Sequence, residues 1–199
     1  MNLDRATRLA AFLLQFSRVE RATAHPDGMR PETDSDHTVM LAVIACDLCP
    51  ESLDRGLVAQ FAVVHDLVEA YAGDTQTLKI DDAARANKDA REVAALFRIR
   101  EEFGVYNWLV QTIQRYEAQS TSEARYVKLL DKVLPKLTHL LNGCRAAKNI
   151  TNYDGFVESH VRQHLDLSRR MGGEPWAEDV LDLLRDAMNA SEAAWHSNG

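Results

Sequence analysis

Apolar residues recur along most of the chain at the three-to-four-residue spacing of amphipathic helices, and no segment alternates as a strand would. Turn-rich or Gly- and Pro-containing stretches, such as "RATAHPDGMRPETDSD" and "GDTQTLKID", interrupt this spacing. The pattern predicts an all-α bundle of about eight helices. Their expected ranges are 3–17, from Asp34–Asp36 to the residue before Pro50, 51–72, 81–103, 106–118, 121–142, 152–171 and 176–194.

Size and composition favour one helical domain. The chain has 199 residues, with only 9 Gly and 5 Pro, which suits a single packed core rich in helix. Its net charge of −7 argues against long nucleic acid as a partner. A small anionic substrate stays possible, because it needs only local positive charge or a bound cation.

Cysteine usage and hydropathy predict a cytoplasmic protein. Cys46 and Cys49 form a C-x-x-C pair and Cys144 lies far away, an odd count without framework spacing that favours a reducing compartment. The N-terminal segment reads as an amphipathic helix with no signal peptide. The longest apolar runs fall well short of the ~20 residues that a membrane span needs.

Several ionisable residues interrupt the apolar faces of the predicted helices. The stretch "VVHDLVEAYAGDT" at 63–75 places His65 and Asp66 inside an apolar run, with Glu69 one turn later. His37 lies on the apolar face of the second predicted helix, and Asp131 lies on that of the sixth. Such groups are costly in apolar surroundings unless they are paired, hydrogen-bonded or bound to a metal.

These positions together suggest a metal site. His37, His65, Asp66 and Asp131 offer two imidazoles and two carboxylates, a set that suits Mn²⁺, Co²⁺, Fe²⁺ or Zn²⁺ better than Ca²⁺. Four protein ligands would leave room for water or substrate on a six-coordinate ion. A single buried histidine, however, is more often an ordinary hydrogen-bonding group, and Glu69 could simply pair with a nearby base.

The order H…HD…D in a helical chain resembles the HD-domain metal-dependent phosphohydrolases. The strings "SDHTVMLAVIACDL", "HDLVEAYAGDT" and "VKLLDKVLPKL" are similar to the branch that contains bacterial 5′-deoxynucleotidases. The resemblance covers roughly residues 5–140, whereas the C-terminal helices, about 150–194, carry no assigned motif. We therefore expect residues 1–199 to form a single HD domain.

The resemblance implies a role for each motif residue. His37, His65, Asp66 and Asp131 would bind one divalent metal ion, either Mg²⁺ or, preferably, a transition metal (Mn, Co, Fe or Zn). Glu69 would position or deprotonate the attacking water. Asp74 would contact the nucleotide sugar or assist proton transfer, although a residue after Gly73 could also be a simple turn residue.

Basic residues are needed for the substrate phosphate. The resemblance implies an arginine after the first helix, for which we choose Arg18 with Arg21 as the second choice. Lys79 is a further candidate for the cationic clamp. Val19 stands where the branch often carries a tryptophan, so the base preference stays open.

The expected activity is hydrolysis of deoxynucleoside 5′-monophosphates to nucleoside and phosphate. A deoxynucleoside triphosphate phosphohydrolase using the same site is the alternative, and a catalytically inert HD-type nucleotide-binding module is a second one. An alarmone hydrolase is disfavoured because Ala70 follows Glu69 where that family more often has a second acid. The family resemblance also favours a homo-oligomer, commonly a dimer. The short apolar runs predict no membrane partner.

Overall fold

Helices dominate the structure, as the hydrophobic pattern predicts, and the all-α class is confirmed. The computed structural model describes residues 2–27, 29–76, 78 and 82–197. The helices in chain order are α1 (Leu3–Phe16), α2 (Asp34–Asp47), α3 (Arg55–Val64), α4 (Glu69–Ala72), α5 (Asp82–Phe103), α6 (Asn107–Glu117), α7 (Ser122–Leu141), α8 (Arg145–Lys148), α9 (Tyr153–Met171) and α10 (Ala177–Ser197). In the part of the chain that is described, no helix is long and apolar enough to cross a membrane.

A capping box fixes the start of α2. The Thr33 hydroxyl accepts the backbone N–H of Asp36, and the Asp36 carboxylate accepts the backbone N–H of Thr33 at 3.0 Å. The reciprocal bonds satisfy donors that the first helical turn otherwise leaves free. His37 follows directly, so this cap helps to set the position of its side chain.

A short antiparallel hairpin lies where the sequence predicts only a polar loop. Strand β1 (Glu20–Ala24) pairs with β2 (Pro31–Thr33), with an irregular register between the two ends. The Asn142 amide, at the end of α7, donates to the carbonyl of Ala24 at 2.8 Å. This contact fastens the hairpin to the helix that carries Asp131.

The predicted continuous helix over 51–72 is wrong, because the structure breaks it at the His65–Asp66 pair. Helix α3 begins only at Arg55, ends at Val64 and is followed by a turn, after which α4 begins at Glu69. In this turn the backbone bonds span three residues, from the N–H of Leu67 to Val64 and from the N–H of Glu69 to Asp66. The tighter spacing rotates the pair relative to a regular α-helix.

Helix α7 is the central element of the core. Its apolar stripe, which includes Val127, Leu130 and Leu134, is fully buried, and the helix packs against α2, α3 and α10. It continues through Pro135, although proline removes a backbone donor at that point. Asp131 is therefore held in the packed interior, facing α2 and the turn after α3.

Candidate metal centre

The turn after α3 presents His65 to the interior. Its Nδ1 donates to the carbonyl of Ala62 at 2.9 Å, which fixes the ring and leaves Nε2 as the inward atom. This Nε2 is buried without a hydrogen-bond partner in the part of the chain described, although Asp66 Oδ2 lies 2.9 Å away. An orphaned imidazole nitrogen beside a carboxylate oxygen is the arrangement that a metal ion would complete.

His37 faces the same point from α2. Its Nε2 lies 3.0 Å from Oδ1 of Asp131, and the His37 and His65 rings have centroids 5.4 Å apart. Asp131 Oδ1 also lies 3.9 Å from Nε2 of His65. One ligand atom from each of His37, His65, Asp66 and Asp131 lies within 4.8 Å of all the others. The four residues fit a single divalent ion, both in spacing and in donor chemistry.

The electrostatics favour positive charge at this point. Burial disfavours a charged imidazole, yet the hydrogen bonds with Asp131 and Glu32 raise the pKa of His37 to about 9. Burial also opposes ionisation of Asp131, but Lys132 and His37 hold its pKa well below the usual range. The pKa of Asp66 is also lowered: burial would raise it, but the interaction with His65 outweighs this effect. The centre thus keeps its carboxylates ionised, as a cation site requires.

Glu69 lies beside the four potential ligands and is buried. Its pKa is raised well above the usual value, first by burial and then by the charges of Asp66, Asp34 and Asp74. Its Oε2 has no hydrogen-bond partner among the residues the structure describes. A carboxylate of this kind has a raised proton affinity and a free oxygen, the two properties of a general base.

Arg21 of β1 brings positive charge to the acidic side of the centre. Its Nη1 lies 2.8 Å from Oδ1 of Asp34, 2.9 Å from Oδ2 of Asp66 and 3.9 Å from Oε2 of Glu69. Lys88, on α5, places Nζ 3.8 Å from Oε1 of Glu69. The general-base candidate therefore lies between two cations.

The other residues chosen from the sequence lie in different places. Asp74 follows Gly73, whose positive φ of 70° ends α4, and its charge acts on Glu69 and Arg21. Arg18 is exposed at the end of α1, and the described contacts of the cluster involve Arg21 instead. Lys79 lies outside the described residues.

Sequence reasoning missed Asp34, Glu32 and Lys88, and ranked Arg21 second. Asp34 and Glu32 fall in a polar stretch that reads as a loop, where buried carboxylates carry no periodic signal. Lys88 pairs with Glu92 at 3.2 Å with i, i+4 spacing, which in a sequence looks like an ordinary surface pair. Their roles depend on tertiary contacts that no local pattern encodes.

Fold and site together define a class, an all-α protein with a largely buried two-histidine, two-aspartate centre. The family model described as "HD domain" matches residues 15–168, and the chain belongs to that family. A solved structure of a predicted metal-dependent phosphohydrolase from Magnetospirillum magnetotacticum MS-1 superposes with a TM-score of 0.65. It is 23% identical and covers 94% of this chain and 95% of its own.

Curated relatives carry the name 5′-deoxynucleotidase. The HDDC2 protein of Homo sapiens is 31% identical over 121 residues, which cover 59% of this chain and 58% of the relative. The YBR242W protein of Saccharomyces cerevisiae is 29% identical over 163 residues, or 74% of this chain and 65% of the relative. The chain thus spans somewhat under two thirds of the length of these relatives.

Proposed function

We propose that this protein is a metal-dependent phosphohydrolase that converts deoxynucleoside 5′-monophosphates to nucleoside and phosphate. The observation that carries the proposal is that ligand atoms of the buried His37, His65 and Asp131 and of the partly buried Asp66 lie within 4.8 Å of one another, beside a carboxylate suited to general-base work. Membership of the HD domain family and the names of the curated relatives support it.

The four side chains would hold one divalent ion, and a transition metal (Mn, Co, Fe or Zn) is favoured over Mg by the two imidazoles. Such an ion, when bound, lowers the pKa of a water molecule and neutralises charge on phosphate oxygens. Each ligand is held by the fold. The Ala62 carbonyl holds His65, the first turn of α2 places His37, the packed stripe of α7 places Asp131, and Arg21 lies 2.9 Å from Oδ2 of Asp66. Little reorganisation would be needed for binding.

Glu69 would accept the proton of the attacking water. Burial and the neighbouring acids raise its pKa, which increases its proton affinity. Lys88 at 3.8 Å keeps a positive charge close to the same carboxylate and opposes that rise. Asp74 remains a candidate for the sugar contact or for a second proton transfer.

Arg21 is the phosphate-binding residue that the geometry favours. Its guanidinium faces the centre and is anchored by Asp34, which is fully buried, and planar guanidinium groups bind phosphate through paired N–H donors. Arg18 and Lys79, chosen from the sequence, remain proposals without a described contact in the centre. Asp34 would then keep Arg21 pointing at the substrate.

Three further expectations remain proposals. A homodimer is supported by α5, which leaves Val93 and Phe97 more than half exposed. If this face is the interface, Phe97→Glu should lower the mass measured by light scattering.

A cytoplasmic location is supported by the three unpaired cysteines, Cys46, Cys49 and Cys144. The third is that residues 1–199 form a single HD domain. This range extends beyond both ends of the segment 15–168 that the family model matches.

The test is phosphate release from a panel of deoxynucleoside and nucleoside monophosphates and deoxynucleoside triphosphates, each with Mn²⁺, Co²⁺ or Mg²⁺. Wild type is compared with Asp66→Ala, Glu69→Ala and, as a control, Glu101→Ala, which alters an exposed carboxylate. We expect metal-dependent release from monophosphates that is lost in the first two variants and kept in the third. Release from triphosphates alone would replace the proposal with the triphosphohydrolase, and binding without turnover would replace it with the inert module.

A further inference from the structure

A buried carboxylate next to the metal centre has no part in the chemistry described above. Glu32 of β2 is 3% exposed. Its Oε1 accepts a hydrogen bond from Nδ1 of His37 at 3.0 Å, and its Oε2 accepts one from the hydroxyl of Thr23 at 2.6 Å. Burial of a carboxylate costs several kcal/mol unless it is well compensated, so its presence beside a predicted ligand needs an explanation.

We propose that Glu32 is a positioning residue that orients His37 and strengthens it as a metal ligand. An imidazole that donates its Nδ1 proton to a carboxylate keeps the lone pair of Nε2 for a metal, and the negative charge raises the electron density on that nitrogen. The Nε2 of His37 is the atom that faces Asp131, at 3.0 Å. The inference rests on the proposed metal-binding function.

The two histidines differ in how they are held. His65 donates its Nδ1 proton to a backbone carbonyl, that of Ala62, which is neutral and independent of side-chain identity. His37 instead relies on a charged side chain from another element. Glu32 therefore offers a point where the affinity of the centre can be changed without altering any of the four ligands.

Thr23 completes this arrangement from the opposite strand. It is buried on β1, and its hydroxyl proton occupies Oε2 of Glu32, which leaves Oε1 for His37. The hairpin thus places three side chains around the centre. Arg21 of β1 contacts Asp66, Glu32 of β2 contacts His37, and Thr23 of β1 holds Glu32.

The test is calorimetric titration of the metal-stripped 199-residue chain with Co²⁺ or Mn²⁺. Glu32→Gln keeps the shape but removes the charge, Thr23→Val removes the hydroxyl, and Glu20→Gln is the matched control on an exposed carboxylate of the same hairpin. We expect Glu32→Gln to lose about 10- to 100-fold in metal affinity. Thr23→Val should lose less, and Glu20→Gln should bind like wild type.

Thermal melting separates positioning from a purely structural role. In the metal-stripped form Glu32→Gln should have a lower Tm, because the charged His37 ring loses a buried carboxylate partner. The rise in Tm on adding metal should become smaller as well. Unchanged metal affinity in Glu32→Gln would overturn the inference, as would a lower Tm without metal combined with an unchanged rise in Tm on adding metal. If wild type itself binds no metal, the proposed function fails. If wild type binds metal and Glu32→Gln binds it equally tightly, this inference alone fails.

Discussion

Two buried histidine side chains in this molecule, His37 and His139, differ in their pKa. His37 and His139 are each only 1–2% exposed, yet the pKa of His37 is raised to about 9 and that of His139 is lowered to about 3. Both are subject to burial, which disfavours the charged ring. The difference therefore comes from their neighbours.

His37 is hydrogen-bonded to two carboxylates, whereas burial and Lys136 outweigh the one carboxylate charge, that of Glu32, that raises the pKa of His139. Both nitrogens of His37 lie 3.0 Å from a carboxylate oxygen. The His139 ring packs on Phe156 with centroids 5.6 Å apart, and Lys136 lowers its pKa further. Its Nδ1 has no hydrogen-bond partner among the residues described. Burial beside a lysine thus gives a neutral core histidine, whereas burial between two hydrogen-bonded carboxylates gives a place for a cation.

The largest expected effect is a contrast between the two histidines. His37→Ala should abolish metal-dependent phosphate release and weaken Co²⁺ binding more than 100-fold, about 3 kcal/mol, because a ligand is lost. His139→Ala should leave Co²⁺ affinity unchanged and lower only the stability. Calorimetric titration of both variants measures this, and a similar affinity loss in both would show that the two environments are not functionally distinct.

Replacement of Glu69 should affect turnover rather than metal binding. Glu69→Gln removes the proton acceptor while preserving shape, and we expect kcat to fall about 10²- to 10⁴-fold with Co²⁺ affinity retained. Steady-state kinetics on the preferred monophosphate checks this. A variant that keeps its kcat would exclude Glu69 as the base.

Arg21 and Arg18 provide a smaller contrast between structure and sequence. Arg21→Ala should raise KM about 10- to 100-fold, because a guanidinium facing the centre is lost. Arg18→Ala should change KM less, since its side chain is exposed. If Arg18→Ala raised KM more than Arg21→Ala, Arg18 would be the phosphate-binding residue, as proposed from the sequence.

The smallest effect is the pH dependence that His139 gives to stability. Its pKa is about 3 when folded against the ordinary 6.5, so below pH 6.5 the unfolded chain binds the proton and the folded chain does not. The stability that comes from the neutral ring is present above pH 6.5 and is lost as the pH falls toward 3, by about 1.5 kcal/mol between pH 6.5 and pH 5. Urea unfolding measured between pH 6.5 and pH 5 should show a steeper fall in the free energy of unfolding for wild type than for His139→Gln. Equal slopes of this free energy against pH would contradict a lowered pKa of His139 in the folded protein.

The sequence predicts the site residues that interrupt a local hydrophobic pattern. It does not predict those whose role depends only on tertiary contacts. His37 and Asp131 stand out because each is a polar residue on an otherwise apolar helical stripe, and the structure places both in the buried cluster. Arg21 and Glu32 lie on strands of five and three residues, too short for a period of two to show. The break at His65 was missed for a related reason, since the apolar spacing continues across the turn.

Metal stoichiometry tests the central claim most directly. The metal-stripped chain is loaded with Co²⁺, freed of excess ion and weighed by native mass spectrometry, beside Asp66→Ala and the exposed-site control Asp166→Ala. The account predicts one Co²⁺ per chain in wild type and control, and none in Asp66→Ala. A chain that retains no Co²⁺, or an Asp66→Ala variant that retains as much as wild type, would contradict the metal centre and the function proposed from it.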